Sequence, residues 1–383
     1  MMLWVTLSTL PILLVVVWLY TVATVKGRFP TLKNRRICLL IAHPDDEAMF
    51  FGPALLSLTE PSLGNHLKIL CLSSGDADGL GETRKKELVK SGMMLGLRNE
   101  DDVFVVENPD FQDSMTATWS KEKIASLLSS AFAPHLANTL TSKSADAPTA
   151  TIDVLITFDR SGVSAHPNHI SLYHGARHFI ASLIKNRPGW DSPVDLYTLS
   201  TVNVARKYAS IFDTITSMII AAFSKRSVGA HPSPLLFMSG VGEIRTAQRA
   251  MTHAHISQMR WFRWGWIGMS RYMENHIEGF ELSVESSFQS RILSNALRKA
   301  IPSAAAELTV KSSRTIMDGE LTIKVTPWYR IGDELIEAPD ARVNGLPREQ
   351  QLTAAQLVDA ILDIQRGKRE EAVTATSCRR RFP

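Results

Sequence analysis

The sequence predicts an α/β fold: a layered, mostly parallel sheet flanked by helices and preceded by one N-terminal transmembrane helix. Three observations predict it. Short β-branched or leucine-rich runs alternate with helix-like segments along most of the chain. The first 25 of its 383 residues carry no charged side chain. Finally, a cluster of His and acidic residues directly after one apolar run and a pair of histidines shortly after another stand at the sheet edge where such folds place their sites.

The N-terminal element comes first. Leu3 to Val25 is long enough to cross a bilayer as a helix, and its polar interruptions are only Thr6, Ser8, Thr9, Thr21 and Thr24. A cleaved signal peptide has a basic start and a shorter apolar stretch, and this segment has neither. The basic flank Lys26, Arg28, Lys33, Arg35 and Arg36 follows the apolar run, so the positive-inside rule places the rest of the chain in the cytosol.

Next come the strand-like runs Arg36 to Ala42, Leu67 to Ser73, Val103 to Glu107, Val154 to Phe158 and Leu196 to Val202. Helices are expected between them at Glu82 to Leu97, Trp119 to Phe132 and Asn168 to Ile184, which makes the sheet Rossmann-like. Ala137 to Thr151 is rich in Ser, Thr and Ala and reads as a surface loop. A Trp- and Arg-rich stretch, Met251 to Met273, reads as helical and closes the first domain. The texture changes after Gly279, with a strand expected at Leu321 to Val325, a helix near Ala354 to Gln365 and a disordered basic tail ending at Pro383. The expected domains are therefore an anchor over residues 1–25, a catalytic domain over 36–278, and an extension of unknown role over 279–383.

Composition narrows the function classes. With 45% hydrophobic and 21% charged residues, the chain is globular rather than disordered or fibrous. Its formal net charge of +4 is mildly basic, and the clusters Lys26 to Arg36 and Arg379 to Arg381 account for part of it, so no nucleic-acid surface is invoked. Cys38, Cys71 and Cys378 are far apart, and the first two sit in apolar runs where a reduced, buried thiol is expected.

The chemistry lies in two segments. Ala42-His43-Pro44-Asp45-Asp46-Glu47 follows the run Ile37 to Ile41, so several ionisable groups stand where a buried strand ends. Such groups must be paired, solvated or bound to metal. Ser164-Ala165-His166-Pro167-Asn168-His169 follows Val154 to Phe158 and Asp159. Two histidines three residues apart at a helix start can share a face, one binding metal while the other meets substrate. One carboxylate with two imidazoles suits zinc and leaves a position open for water, whose acidity the metal raises while polarising an amide carbonyl. A carboxylate that is not a ligand can then take the proton. These residue types together assemble amide hydrolysis, although two histidines and one aspartate also accept other divalent ions.

The paired strings resemble the LmbE-like zinc deacetylase superfamily, and within it the eukaryotic branch that acts on N-acetylglucosaminylphosphatidylinositol. Leu72 to Leu88 and His255 to Trp264 carry further likeness, and the resemblance spans roughly residues 36 to 278. It implies that His43, Asp46 and His169 bind zinc, and that Asp45 is the base that activates the water. His166 would stabilise the oxyanion or protonate the departing amine, and Asp159 would orient one of these histidines. Arg84 would lie near the substrate phosphate, and Asp113 would hold sugar hydroxyls. The implied activity is removal of acetate from that lipid-linked amino sugar in GPI-anchor biosynthesis, at the cytosolic face of the endoplasmic reticulum membrane, by a single-pass protein. A deacetylase of another amino sugar and a non-catalytic sugar-lipid-binding subunit are the alternatives. Ala165 departs from the glycine often found in close relatives.

The remaining signals have plainer readings. His66, His135, His174, His178, His231 and His276 are expected to be structural, with His253 and His255 open. Glu47 reads as a helix-start residue that supports the site. The Gly-rich segment Ser74 to Gly81 lacks the phosphate-loop patterns and reads as a substrate-side loop. Arg260, Trp261, Arg263, Trp264 and Trp266 suit either a membrane interface or core packing between helices.

Overall fold

A computed structural model describes residues 15–27, 29–135, 147–185, 191–214, 216, 217, 219 and 232–281, together with the backbone of four strands between 309 and 343. The chain divides into two compact units, Met1–Ser283 and Val284–Pro383.

The sheet of the first unit forms because its central strands are apolar on both faces. Strand β1 (Arg36–Ile41) is buried from Ile37 onward, and β4 (Val154–Phe158) is buried throughout, the pattern of a parallel sheet covered on both sides. Strands β2 (His66–Cys71), β3 (Val103–Val105), β5 (Asp195–Leu199), β6 (Leu235–Met238) and β7 (Asn275–Glu281) complete the order β3-β2-β1-β4-β5-β7-β6. The first five in that order run parallel, whereas β7 is antiparallel to both its neighbours. Because β1 lies between β2 and β4, successive connections leave it in opposite directions and open a crevice at its carboxyl end.

Helices α2 (Asp46–Met49), α3 (Gly52–Leu58), α4 (Gly81–Met94), α5 (Lys121–Phe132), α6 (Gly162–Ala165) and α7 (Pro167–Leu183) connect the parallel strands. Ser120 caps α5 by accepting from the Lys123 amide, which is why the helix starts there and not at Trp119. After β5 come α8 (Val204–Lys207), α9 (Val241–Arg249) and α10 (Trp261–Met269).

Three points go against or beyond these expectations. The stretch Met251 to Met273 is not one helix: a π turn at Ala250–Ala254 and a 3-10 turn at Ile256–Gln258 precede α10, and another 3-10 turn at Arg271–Met273 follows it. His255 (ψ 51°) and Met259 (ψ 71°) leave helical backbone geometry, and that breaks the continuity. Strands β6 and β7 were not anticipated. The third concerns the N-terminus. Residues 1–14 lie outside the described residues, and among the described residues no helix is long and apolar enough to cross a membrane. The described part forms helix α1 (15–27). Its Trp18, Val22 and Val25 are buried against Leu236 and Met238 of β6, and Lys26 pairs with Glu243 of α9 at 2.5 Å. An apolar edge strand needs cover, and α1 supplies it.

In the second unit, β8 (Thr309–Met317), β10 (Glu334–Glu337) and β11 (Ala341–Val343) each pair antiparallel with β9 (Glu320–Ile331). The strand expected at Leu321 to Val325 falls within β9. The expected helix near Ala354 to Gln365 and the tail lie outside the described residues, as does most of the expected loop Ala137 to Thr151.

Candidate active site

Adjacent strands β1 and β4 end beside each other, and the turns that leave them bring His43, Asp46 and His169 together. One ligand atom from each lies within 4.8 Å of the others, and all three residues are buried. Asp46 is fixed from below: its Oδ2 accepts the backbone N–H groups of Ala42 at 3.1 Å and His43 at 2.9 Å. That leaves Oδ1 to face His169 Nε2, 3.2 Å away.

The ring of His169 is fixed twice. It stacks on Phe158 with centroids 3.9 Å apart and planes 3° from parallel. Its Nδ1 is 3.1 Å from the Gly162 carbonyl, an acceptor that requires the proton on Nδ1 and so turns the Nε2 lone pair toward Asp46. Although the carboxylate is close, Nε2 makes no hydrogen bond. A buried imidazole nitrogen and a buried carboxylate oxygen converging at 3.2 Å can share either a proton or a cation between them.

The electrostatics agree with that reading. Burial opposes ionisation of Asp46, but His169 and His43 outweigh it and hold the carboxyl far below its ordinary range. Burial likewise opposes charge on His169, and Asp46 more than restores it, so the imidazole is raised. A proton on His169 and a divalent cation therefore compete for one place. Cys38, pushed up to about 12 by burial, and Cys71, also raised by burial, are not among the groups whose ligand atoms converge.

His166 stands at the amino end of α7, with its Nδ1 accepting the Asn168 amide at 3.2 Å. Burial, followed by the neighbouring imidazoles of His169 and His43, pushes it down to about 4. It is therefore neutral near pH 7, and with Nδ1 accepting, its proton sits on Nε2 as a donor. Its ring lies 5.0 Å from His43 and 4.9 Å from His169.

Asp45 sits beside this cluster with φ 121°, a conformation rare for a residue with a side chain. Glu47 supports it: Glu47 Oε2 accepts the Asp45 amide at 3.1 Å, while Oε1 accepts Ser91 Oγ at 2.5 Å and the fully buried His255 Nε2 at 2.6 Å. The expected supporting role of Glu47 thus has partners that only the fold brings near. Arg263 Nη2 approaches Asp45 Oδ2 to 2.8 Å as an ion pair without hydrogen-bond alignment.

Asp159 touches neither site histidine. Its Oδ1 accepts the Ser161 and Gly162 amides and Thr201 Oγ1, and its Oδ2 accepts the Thr201 amide. Its influence reaches His169 through Gly162, whose carbonyl holds Nδ1. Arg84 is likewise used inside the protein, donating to the carbonyls of Gly75 at 2.7 Å and Pro44 at 2.8 Å and to Asp113 at 3.3 Å. Asp113 also lies 3.3 Å from His43 Nε2. Asn168, fully buried, was not singled out in the sequence. Its Oδ1 is 3.0 Å from His43 Nε2, and its Nδ2 donates to Ala117.

The turn before α7 is strained. Gly162, Val163 and Ala165 all have φ near +60°, which explains why glycine suits position 165. A Cβ on Gly162 would stand 3.0 Å from His169 Cβ and 3.2 Å from the Ile170 amide. Gly162→Ala should therefore cost about 2 kcal/mol in urea unfolding and weaken metal binding by displacing His169. Ala165→Gly should change stability by less than about 1 kcal/mol, because strain relief and chain entropy oppose each other.

These groups line a cavity of about 560 Å³, whose wall includes His43, Asp45, Asp46, Asp113, His166 and His169, with Arg263, Trp266 and Met269 from α10.

Residues 38–180 match the family model described as GlcNAc-PI de-N-acetylase. A protein of Arthroderma benhamiae named N-acetylglucosaminyl-phosphatidylinositol de-N-acetylase is 48% identical over 318 residues, covering 70% of this chain and 94% of its own. One from Schizosaccharomyces pombe, named a probable enzyme of that activity, is 36% identical, covering 63% of this chain and 85% of its own. The Bos taurus protein of that name is 34% identical, with 62% and 80% covered.

Proposed function

The chain belongs to the N-acetylglucosaminyl-phosphatidylinositol de-N-acetylase family, and from that premise we propose how its own residues carry the reaction. It hydrolyses the N-acetyl group of N-acetylglucosaminylphosphatidylinositol, giving glucosaminylphosphatidylinositol and acetate, a step of GPI-anchor biosynthesis. The observation that carries the assignment of roles is the convergence of His43, Asp46 and His169 beside Asp45 and His166.

His43, Asp46 and His169 would hold a divalent cation, and two imidazoles with one carboxylate suit zinc. Such an ion supplies a Lewis acid that polarises the amide carbonyl and makes water acidic enough to attack at neutral pH. Asp45 accepts the proton of the attacking water as its oxygen bonds to the carbonyl carbon. His166, neutral and protonated at Nε2, donates a hydrogen bond to the carbonyl oxygen as charge gathers there. When the C–N bond breaks, the departing amine takes the proton that the water gave up. Asp113 faces the cavity as an acceptor for sugar hydroxyls, and Arg84 fixes Asp113 and the Pro44 turn.

We further propose that the uncharged N-terminal segment tethers the protein to the endoplasmic reticulum membrane with the catalytic unit in the cytosol, while Trp18, Val22 and Val25 of α1 pack on β6. The uncharged N-terminal segment and the basic residues that follow it support that placement. Metal removal tests the chemistry. Dialysis against a chelator should abolish acetate release from the lipid-linked substrate, and one equivalent of zinc per chain should restore it. Undiminished release by metal-free protein would refute the assignment.

A further inference from the structure

The outward face of α10 carries no polar side chain. On a helix turning about 100° per residue, the exposed residues Trp261, Phe262, Trp264, Gly265, Gly268 and Met269 occupy one continuous arc. Trp261 is 86% exposed and Trp264 59%, and a Cβ added at Gly265 or Gly268 would meet nothing within 4 Å. The opposite side is occupied. Ile267 is buried, Trp266 Nε1 donates to the Met49 carbonyl at 3.3 Å, and Arg263 reaches Asp45. Core packing therefore uses one side of this helix and leaves bare the side that holds most of its aromatic surface. A contiguous apolar surface of this kind marks an interaction site.

Charge and position identify the occupant. No Asp or Glu occurs between Glu243 and Glu274, and Arg245, Arg249 and Arg260 in that interval are exposed. Arg260 pairs with the exposed Asp78 at 2.8 Å, while indole, phenyl and thioether groups on a helix whose neighbouring sequence supplies Arg245 and Arg249 but no acid match the head-group region of an anionic bilayer. Phe262, Gly265 and Met269, at one edge of the arc, also line the catalytic cavity. The surface that faces outward and the wall that faces substrate are thus neighbouring strips of a single helix.

We propose that α10 lies in the cytosolic surface of the bilayer as an interfacial helix. Trp261 and Trp264 enter the head-group layer and set the cavity mouth against the membrane, so that the sugar head group reaches the site while its acyl chains stay in lipid. This rests on the reading of the substrate as lipid-linked. It assigns a membrane contact separate from the N-terminal segment.

The test uses the full chain in vesicles containing phosphatidylinositol, comparing wild type with Trp261→Ser/Trp264→Ser, neither of which lines the cavity. Lipids brominated near the head group should quench wild-type tryptophan fluorescence and quench the double variant much less. For N-acetylglucosaminylphosphatidylinositol in the vesicles, kcat/KM should fall about tenfold in the variant. For the water-soluble N-acetylglucosaminyl inositol phosphate it should stay unchanged. Equal quenching in both proteins, or equal loss on both substrates, would overturn the proposal. So would unaltered quenching accompanied by loss of a bound protein partner or of self-association. If wild type releases acetate from neither substrate, the functional reading fails, and the quenching comparison still decides whether α10 meets lipid.

Discussion

Asp45→Asn is expected to lower kcat for acetate release by about 10³-fold, with KM and bound metal little changed. The substitution keeps the shape of the side chain and removes its capacity to take a proton, together with the negative charge that faces Arg263. Asp45 is not among the groups that converge as ligands, so metal content measured by atomic emission should stay at the wild-type level. The strained backbone at φ 121° is held by Glu47 through the Asp45 amide, a contact the asparagine retains. Loss of metal together with activity would instead make Asp45 a structural prop of the metal site.

His169→Ala has the second large effect, and it reaches stability as well as activity. The change removes a ligand and the ring stacked on Phe158, and it leaves Asp46 buried beside a cavity without its main partner. Breaking a buried charge pair in this way costs about 3–5 kcal/mol. Urea unfolding should show that loss, metal should no longer co-purify, and added zinc should not restore acetate release. The sign of the pH dependence follows from the same pair. In metal-free protein, the raised His169 contributes stability at pH values below its unfolded pKa, lost as pH rises through its folded value. The lowered Asp46 contributes stability above the ordinary carboxylate pKa, lost only in strong acid. Metal-free wild type should therefore weaken on alkaline titration through the histidine range, and His169→Ala should lack that dependence.

The parts of the site that could be read from sequence are those carried by contiguous strings after recognisable strands. His43, Asp45 and Asp46 follow β1 within five residues, and His166 and His169 open α7 after β4, so local pattern and strand order together brought them to one crevice. The unforeseen parts depend on contacts across long stretches of chain. Glu47 meets His255 across 208 positions, and Asp45 meets Arg263 across a similar distance. Asn168 stands inside a quoted motif, yet only the fold shows that its carbonyl faces His43. Edge strand β6 is four residues long, and β7 contains His276, Glu278 and Glu281 among its apolar residues, so neither gives a strong period of two. The Trp- and Arg-rich stretch kept a helix-like composition while its backbone broke at His255 and Met259, and a break of that kind leaves little trace in side-chain periodicity.

The most direct test of the central claim is to follow which bond takes up water. The lipid-linked substrate is hydrolysed by zinc-loaded protein in oxygen-18 water, and both products are weighed by mass spectrometry. Attack at the amide carbonyl predicts label in the acetate, none in the glucosaminyl lipid, and a free amine on the sugar. Label in the sugar or the phosphate, with the acetyl group still in place, would mean that the site cleaves a different bond, and the account given for Asp45, His166 and the three metal ligands would be wrong.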